Sequence, residues 1–364
     1  MLPIGAVIQR LMPGSEIRAV DRLQSSERTV VERVHLAPRL GADGPEQVVT
    51  KRFLHAAGFE SEAGALSVMP TGVPAPQLLA EDPGERVIVM TDIGSGPSLA
   101  DALLGDCPET AEAALHTWAE TMAGVHRATA GLRRCFSAAV VDRGGSEAQV
   151  DPTNRWLAAT PNVVEGTNAG LAVPAGLRDE LISMTDVLDD PAWEALSQGD
   201  ACPDNNVMTP AGLFLIDFEE AAFRHVAWDL AYLRVPWPSC WCAWNLPAAL
   251  AEAATAHYVH AVNASPADAD PSALEGAIEV ATLAFALIAA AWFLPSALQR
   301  DDTLGTPERR APSRRAAVLH RFTLAADTAT KLGYQTTAAA ARSWVQTLQQ
   351  RWGTRTLPTT PAFR

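Results

Sequence analysis

Lysine is nearly absent from this chain of 364 residues. Only Lys51 and Lys331 are lysine among the 28 basic residues, and the rest are arginine. Because the chain uses arginine almost everywhere else, we expect each lysine to have a specific role. Lys51 falls in a segment, Val48 to Phe53, where apolar and polar residues alternate, which is typical of a strand.

Positive charge is scarce overall, since the net charge is −14 at pH 7. Nucleic-acid binding needs a basic patch that neutralises phosphates, so we expect no nucleic-acid partner. The acidic balance favours a cationic or neutral small molecule as the ligand. The alternative is that the acidic surface only keeps the protein soluble.

Signals for export and for membrane insertion are missing. The start, Met1-Leu2-Pro3-Ile4, lacks the basic residues and the full apolar core of a signal peptide. The five cysteines form no compact framework, so we expect a reducing, cytoplasmic environment. The most apolar stretch, 280–295, is shorter than a membrane span. We interpret it as a buried helix and expect no membrane partner.

Several familiar motifs do not occur. The chain has neither a Walker A motif nor a G-x-S-x-G nucleophile elbow. Its first polar turn, residues 24–28, carries no G-x-G-x-x-G. Any phosphate groups bound under this turn would therefore have to be contacted by the backbone and by the hydroxyls of Ser25 and Ser26. An ordinary polar hairpin is the equal alternative for these serines.

The periodicity that is present predicts an α+β fold with two lobes. Alternating patterns predict strands at 17–23, 29–36, 47–53, 78–80 and 86–90, with one helix at 59–69. A break at 91–94 ends this pattern. We therefore predict a β-rich N-terminal lobe over 1–93, a mostly helical C-terminal lobe over 94–353, and a loose tail over 354–364. The predicted late helices are at 247–263, 272–299, 307–333 and 336–351.

The most informative stretch runs from Leu196 to Glu219. It contains Asp200, then Asn205 five residues later, then a short hairpin, and finally Asp217 where a buried strand ends. A solvated Asp/Asn turn could produce the D-x-x-x-x-N spacing alone. The hairpin and the I-D-F-E at 216–219 that follow it argue for a functional site.

Phosphoryl transfer requires this set of side chains. One carboxylate orients the attacking hydroxyl and accepts its proton, and Asp200 fits that role. A second carboxylate and an amide oxygen hold Mg²⁺ on the ATP phosphates, and Asp217 and Asn205 fit those roles. The sequence therefore predicts a site that uses ATP and Mg²⁺.

A kinase site also needs a strand lysine that contacts the phosphates and pairs with a glutamate on the next helix. Lys51 is the lysine that fits. We choose Glu62 as its partner because it lies one turn before a buried leucine, while Glu60 is the alternative. The break at 91–94, with Asp92 and Ile93, would be the hinge whose backbone contacts adenine.

The chain resembles the aminoglycoside phosphotransferase (APH) family of kinase-like enzymes over about residues 17–350. The residues that carry the resemblance are Lys51, Glu62, the break at 91–94, G-D-A-C-P-D-N at 199–205 and I-D-F-E at 216–219. It implies a protein-kinase-like two-lobed fold with ATP in the cleft between the lobes. It also implies transfer of the γ-phosphoryl group to a hydroxyl of a small molecule, with Asp200 as the catalytic aspartate.

The chain departs from the family pattern at two positions. The family has histidine before Gly-Asp, where this chain has Gln198, and that histidine mainly braces the loop. Glutamine can still donate and accept hydrogen bonds. The family has glycine before the asparagine, where this chain has Asp204, whose extra carboxylate could bind a cationic substrate or face solvent.

The segment after Glu219 offers candidates for substrate contacts. We expect Glu219, Trp237 and Trp241 beside the substrate, with the tryptophans forming a rim together with Trp244. The C-x-C at 240–242 could instead join Cys202 in a metal site, although two ligands alone make no zinc site. An aminoglycoside or other antibiotic is the first acceptor considered, and a sugar or amino-alcohol metabolite is the alternative.

Two other classes of function compete with a small-molecule kinase. The first is a catalytically inactive kinase fold that serves as a ligand-binding or scaffold protein, supported by Gln198. The second is a protein kinase, which the absence of an A-P-E-like segment after Asp217 disfavours.

Overall fold

The structure is a computed structural model that describes residues 2–37, 45–55, 58–235, 237, 240–262, 271–303 and 311–364. The amino-terminal lobe consists of a five-stranded antiparallel sheet with one helix before it and one inserted in it. Its elements are α1 (Ile4–Leu11), β1 (Ile17–Ser25), β2 (Thr29–Leu36), β3 (Gln47–Phe53), α2 (Phe59–Val68), β4 (Leu78–Asp82) and β5 (Val87–Thr91). The strand order is β1-β2-β3-β5-β4.

The two helices of this lobe pack against the sheet through residues that alternate along the strands. Ile8 of α1 packs with Val34, Val48 and Val89 in a small separate core. Ile88, the neighbour of Val89 in sequence, belongs to the main core that also contains the buried side of α2. Successive strand residues point to opposite faces, so the period of two seen in the sequence places one helix against each face.

The second lobe is mostly helical. Its helices are α3 (Leu99–Leu103), α4 (Pro108–Thr129), α5 (Arg133–Asp142), α6 (Thr153–Gly166), α7 (Leu177–Val187), α8 (Ala227–Arg234), α9 (Ala248–Val262), α10 (Pro271–Gln299), α11 (Arg314–Leu332) and α12 (Gln335–Trp352). Helix α3 begins with a capping box in which Ser98 and Asp101 bond each other's backbone. This cap starts the helical lobe just after the predicted break.

Two short antiparallel strand pairs lie inside the helical lobe and carry the loop of interest. Strand β6 (Glu194–Ser197) pairs with β9 (Ala222–His225), and β7 (Asn206–Thr209) pairs with β8 (Gly212–Leu215). The β7–β8 hairpin is the one predicted from the turn at 210–212. Together the pairs hold both ends of the segment 198–221.

Helix α10 passes through the middle of the second lobe. Its stretch Ser272–Gln299 is long and apolar enough to cross a membrane by composition, and 83% of an apolar 18-residue segment within it is buried inside the protein. A helix that is apolar on every side is expected either in a membrane or in a large core. Its burial against the other helices agrees with the buried helix predicted for 280–295.

Two expectations about the carboxyl-terminal region are wrong. Helix α11 begins at Arg314 rather than near 307, because the Ser313 hydroxyl caps it by accepting from the Ala316 N–H. The residues after α12 are also packed rather than loose. Leu357 and Thr360 are buried. The Thr360 N–H donates to the Asn245 carbonyl, and the Asn245 N–H donates to the Pro358 carbonyl.

Candidate active site

Gly199 shapes the loop that carries Asp200. Its φ is +79°, in the left-handed region that glycine adopts at low cost. A Cβ at this position would lie 1.6 Å from the carbonyl oxygen of Glu220. No other residue fits there, so Gly199 brings the Asp200 loop directly against the segment that follows Asp217.

Gln198 ties the same loop to the strand that leads to Asp217. Its side-chain nitrogen donates to the carbonyl of Asn205 at 3.1 Å and to the carbonyl of Ile216 at 2.6 Å. The side chain is 1% exposed. Glutamine therefore provides here the bracing expected of the histidine that it replaces.

Asp229 stabilises the Asp200 loop through buried hydrogen bonds. This buried carboxylate accepts from the Ser197 hydroxyl at 2.6 Å and from the Arg224 guanidinium at 2.6 Å. The Arg224 guanidinium and the Tyr232 hydroxyl also donate to the carbonyl of Gly199. Through these contacts Asp229 braces the Asp200 loop.

The neighbours of Asp229 stabilise its ionised, negatively charged form. Burial alone would raise the pKa of this carboxyl, but Arg224 and a hydrogen bond from His126 bring it well below its usual range. His126 itself contacts Asp229 at 3.0 Å and the Tyr258 hydroxyl at 2.8 Å. It is a packed core histidine, 2% exposed.

Lys51 lies at the centre of a cluster of three carboxylates. Its ammonium is 2.6 Å from Glu62, 2.5 Å from Asp217 and 3.3 Å from Glu219. The predicted pair of Lys51 with Glu62 is therefore present. Burial alone would lower the pKa of Lys51, but the three carboxylates outweigh it and raise the pKa overall.

The cluster carries more negative than positive charge, which is the condition for binding a cation. Oxygens of Glu62, Asp217 and Glu219 lie within 4.8 Å of one another, in a spacing that a metal ion could share. Carboxylate and amide oxygens are the donors that Mg²⁺ prefers. Asp217 reaches Lys51 with a φ of 63°, a left-handed conformation that is uncommon outside glycine and often found at functional sites.

A cavity of about 640 Å³ lies between the sheet and the Asp200 loop. It runs from the β1–β2 turn, over Lys51, to the predicted hinge. The predicted site residues that line it are Ser26, Lys51, Glu62, Asp92, Ile93, Asp200, Asp204, Asn205, Asp217, Glu219 and Trp241. Ser25 is exposed at the end of β1 and is not part of the described lining.

The turn serine and the hinge aspartate are engaged in local contacts. The Ser26 hydroxyl accepts from the backbone N–H groups of Arg28 and Thr29, at 3.1 and 3.0 Å. This is the ordinary turn chemistry that the sequence left open for the serines. The Asp92 carboxylate pairs with Arg33 from β2, and both residues line the cavity at the predicted hinge.

A second cavity of about 420 Å³ lies on the other side of Asp200. Aromatic rings and carboxylates share its wall. Its lining is Arg28, Trp156, Gly199, Asp200, Asp217, Glu219, Glu220, Tyr232, Phe285 and Trp292. The rings contact one another edge-on, with centroids 5.3 Å apart for Trp156 and Trp292 and 5.0 Å for Tyr232 and Phe285. Asp200, Asp217, Glu219 and Arg28 line both cavities.

Sequence reasoning missed several residues of this second cavity. Arg28 stood in the first turn, but only the serines of that turn were considered. Trp156 lies in the segment 130–195, where no motif in the sequence singles out a site residue. Phe285 and Trp292 belong to the helix interpreted as core only. No local signal in the sequence brings these rings to Asp200, because they are far apart in the chain.

The predicted tryptophan rim is wrong for two of its three members. Trp237 is 1% exposed and packs edge-on against Trp118 of α4, so it belongs to the core and not to a substrate surface. Trp244 is also buried, with the Arg364 guanidinium over its ring. An apolar ring this close to the main core gains more from burial than from exposure.

Asp204 and Trp241 lie together, but away from the aromatic cavity. The Trp241 indole donates to an Asp204 carboxylate oxygen at 2.8 Å, and both residues border the first cavity. Cys202 and Cys240 form a disulfide, with Cα atoms 5.8 Å apart. This pairing differs from the reduced cysteines expected from the scattered spacing, because the loop brings Cys202 to the C-x-C segment.

Volume alone does not identify the active site. A cavity of about 690 Å³ lies between α9 and α10. Its central carboxylate, Glu279, is already paired with Arg234 and Lys331. None of the motif residues that the structure describes lines it.

Comparisons with known proteins identify the fold. No family model matches the chain, and no curated protein matches it by sequence. Among solved structures, a choline kinase from Cryptosporidium parvum Iowa II is 12% identical with a TM-score of 0.53, over 94% of this chain and 99% of that chain. A choline/ethanolamine kinase family protein from Mesorhizobium loti is 18% identical with a TM-score of 0.52, over 93% and 97%.

An ethanolamine kinase from Plasmodium vivax is similar over 84% of this chain and 82% of that chain, with 10% identity and a TM-score of 0.53. These likenesses show that the chain has the two-lobed fold of these kinases. The α+β, protein-kinase-like fold predicted from the sequence is confirmed.

Proposed function

We propose that this protein is an ATP- and Mg²⁺-dependent phosphotransferase whose acceptor is the hydroxyl of a small cationic amine. The observation that carries the proposal is the position of Asp200. It lines the cavity that holds Lys51 and Asp217, and it also lines the aromatic and acidic cavity on the other side. A donor in the first cavity and an acceptor in the second would meet at this carboxylate.

The chain's own residues divide the chemistry between them. Asp200 would hold the acceptor hydroxyl and take its proton as the new bond forms. Lys51 would bind donor phosphates, and Asn205 and Asp217 would hold the metal. Bound Mg²⁺ would supply neutralisation of the charge on the transferred phosphoryl group. Most of the rate gain then comes from positioning and from fixed charge.

Arg28 supports the same division of roles. It lies on the turn above the cleft and contacts Glu219 at 2.8 Å, at the border of the two cavities. A guanidinium at this place can contact oxygens of the transferred group, where charge develops in the transition state. It offers a cationic contact that the serines of this turn do not.

The second cavity suits an amine that carries both charge and apolar groups. Trp156, Tyr232, Phe285 and Trp292 present rings, and Glu219 and Glu220 present carboxylates. Aromatic rings attract alkylated ammonium groups through cation–π contacts, and carboxylates add charge attraction. The kinases of similar fold are named for choline and ethanolamine. An amino alcohol is therefore the first acceptor to test, ahead of an aminoglycoside or a sugar.

The inactive-kinase alternative depended on Gln198. The bonds that this residue donates to the two flanking segments support a braced catalytic loop. A fold without catalysis has no physical need for Lys51, Asp200 and Asp217 to converge as they do.

The experiment is a mass-spectrometric screen with Mg-ATP. The acceptors are amino alcohols with primary, tertiary and quaternary nitrogens, aminoglycosides and neutral sugars, each with wild type and with Asp200→Ala. We expect a gain of one phosphate on an amino alcohol with wild type only. Phosphorylation of a neutral sugar alone would reject the proposed acceptor class, and the absence of both transfer and Mg-ATP binding would reject the enzyme.

A further inference from the structure

Three of the five cysteines meet beside the Asp200 loop, together with one carboxylate. The Sγ atoms of Cys202, Cys240 and Cys242 and an oxygen of Asp204 all lie within 4.8 Å of one another. The three cysteines are 2–4% exposed. Cys202 and Asp204 belong to the loop between Asp200 and Asn205, and the other two come from the segment after α8.

A disulfide accounts for only part of this arrangement. The Cys202–Cys240 bond uses two of the three sulphurs and leaves the third, Cys242, beside it. The Asp204 Oδ1 faces Cys240 Sγ at 3.6 Å, although a disulfide sulphur has no proton to donate to a carboxylate. Three sulphurs and one carboxylate oxygen that converge in this way make a four-donor set.

Hydrogen bonds orient two of the four donors. The backbone N–H of Cys242 donates to Cys240 Sγ at 3.4 Å, which favours a thiolate at that sulphur. The Trp241 indole N–H holds Asp204 Oδ2 at 2.8 Å and leaves Oδ1 on the side of the sulphurs. Donors that fix the ligands from outside are typical of metal sites.

We propose that the reduced cluster binds one Zn²⁺ through Cys202, Cys240, Cys242 and Asp204. Tetrahedral zinc with thiolate ligands places ligand atoms about 3.8 Å apart. The Cys202 and Cys240 sulphurs, which are bonded to each other here, must separate to that distance on reduction, and all four donor atoms already lie within 4.8 Å of one another. The four protein ligands leave no open position, so the site is structural. It would join the Asp200 loop to the segment 240–242.

The chemistry balances with a cellular thiol as the reductant. Two thiol molecules reduce the Cys202–Cys240 bond with two electrons, giving two protein thiols and one small disulfide. Binding of Zn²⁺ then releases the protons of three thiols, and the carboxylate keeps its charge. The proposal does not depend on which group the enzyme transfers, since metal content is measured without turnover.

The first test is the metal content of the full chain, purified with a thiol reductant and without chelator. We expect about one zinc per chain by elemental mass spectrometry. Cys242→Ser should lose most of the zinc, whereas Cys107→Ser and Cys135→Ser, at the two exposed cysteines, should keep it. Wild type without zinc above the buffer blank, or Cys242→Ser with unchanged zinc, overturns the proposal.

A second test uses only the native sequence, in case Cys242→Ser does not fold. Co²⁺ replaces zinc as a probe and should give a thiolate-to-metal absorption band that saturates at one ion per chain. Chelation without reductant should then expose three buried thiols to alkylation, beyond those of Cys107 and Cys135. Exposure of Cys242 alone would show that the disulfide is the resting state and that the site holds no metal.

Discussion

Arg28 lies where the two cavities meet, so we expect it to contact the transferred group rather than the adenine of ATP. Its guanidinium pairs with Glu219 between the two cavities. We predict that Arg28→Ala lowers kcat about 10- to 100-fold, since one donor to the developing charge is lost. The KM for ATP should change little. Steady-state kinetics with both substrates varied would measure this.

A matched control for that prediction lies on the same hairpin. Arg22 pairs with Glu32 across β1 and β2 and lies outside both cavity linings. Arg22→Ala should leave kcat unchanged, because an exposed ion pair contributes little. Equal losses in the two variants would indicate a general effect on the hairpin, and no loss in Arg28→Ala would remove Arg28 from the mechanism.

Trp292 offers a test of where the amine of the proposed acceptor binds. It is 39% exposed, so its truncation costs the core little. We predict that Trp292→Ala raises the acceptor KM about two- to thirty-fold, which corresponds to a cation–π contact of about 0.5–2 kcal/mol. Trp292→Phe should keep most of the affinity because it keeps a ring. An unchanged acceptor KM in Trp292→Ala, with an amine acceptor, would place the amine elsewhere.

The stability of the Asp200 loop depends on Gln198. Replacement of Gln198 by leucine removes the hydrogen bonds to the carbonyls of Asn205 and Ile216. Each carbonyl left without a partner costs about 1–3 kcal/mol. We predict that Gln198→Leu lowers the free energy of unfolding by that order and also lowers kcat. Gln198→His, which can donate, should be closer to wild type in both quantities. Urea unfolding and kinetics on the same preparations measure the two effects.

A leucine variant with full stability and full activity would show that the bonds of Gln198 do not matter to the loop. Loss of stability without loss of activity would confine Gln198 to a structural role. The pattern of both losses, with recovery by histidine, is the one expected for a brace of the catalytic loop.

The elements that the sequence predicted are those whose signal is local. Strands β1 to β3 follow from alternation, and the β7–β8 hairpin follows from the turn between its two apolar pieces. The pair of Lys51 and Glu62 was also predictable, because one strand and the next helix carry both. Asp200, Asn205 and Asp217 line one cavity, as expected for residues that a short hairpin connects.

The sequence could not predict the features that depend on long-range packing. Trp156 of α6 and Trp292 of α10 meet only because the two helices pack together. The core position of Trp237 depends on Trp118, more than a hundred residues before it. The tail after α12 looked loose from its composition, yet it is held by Asn245. Periodicity carries no information on such partners.

At the scale of the whole molecule, acid should destabilise the fold through His225. The ring is 1% exposed, and its Nδ1 accepts from the Ala227 N–H at 3.1 Å. Burial lowers the pKa of His225 to about 4. The unfolded chain, with a pKa of about 6.5, binds this proton first, so stability falls as pH drops from about 6.5 towards 4.

The expected loss from His225 is on the order of 1–3 kcal/mol across that window. His225→Asn keeps an acceptor for Ala227 and should reduce the slope in this window without removing it, because burial also lowers the pKa of His320 to about 4. His257→Asn, at an exposed position, should leave the slope unchanged. The stability from Asp229, whose pKa is lowered, is lost only below about pH 4, outside the window. Denaturant unfolding at several pH values is the measurement, and identical slopes in wild type and His225→Asn would contradict the assignment.

The most direct test of the whole account is phosphoryl transfer by wild type and Asp200→Asn to an amino alcohol, with Mg-ATP binding measured in the same preparations. Asparagine keeps the shape of the side chain but cannot take the proton. The account predicts a loss of kcat of about 10²- to 10⁴-fold with Mg-ATP affinity largely retained. Near-normal turnover by Asp200→Asn would contradict the central claim that this carboxylate joins the two cavities in one reaction.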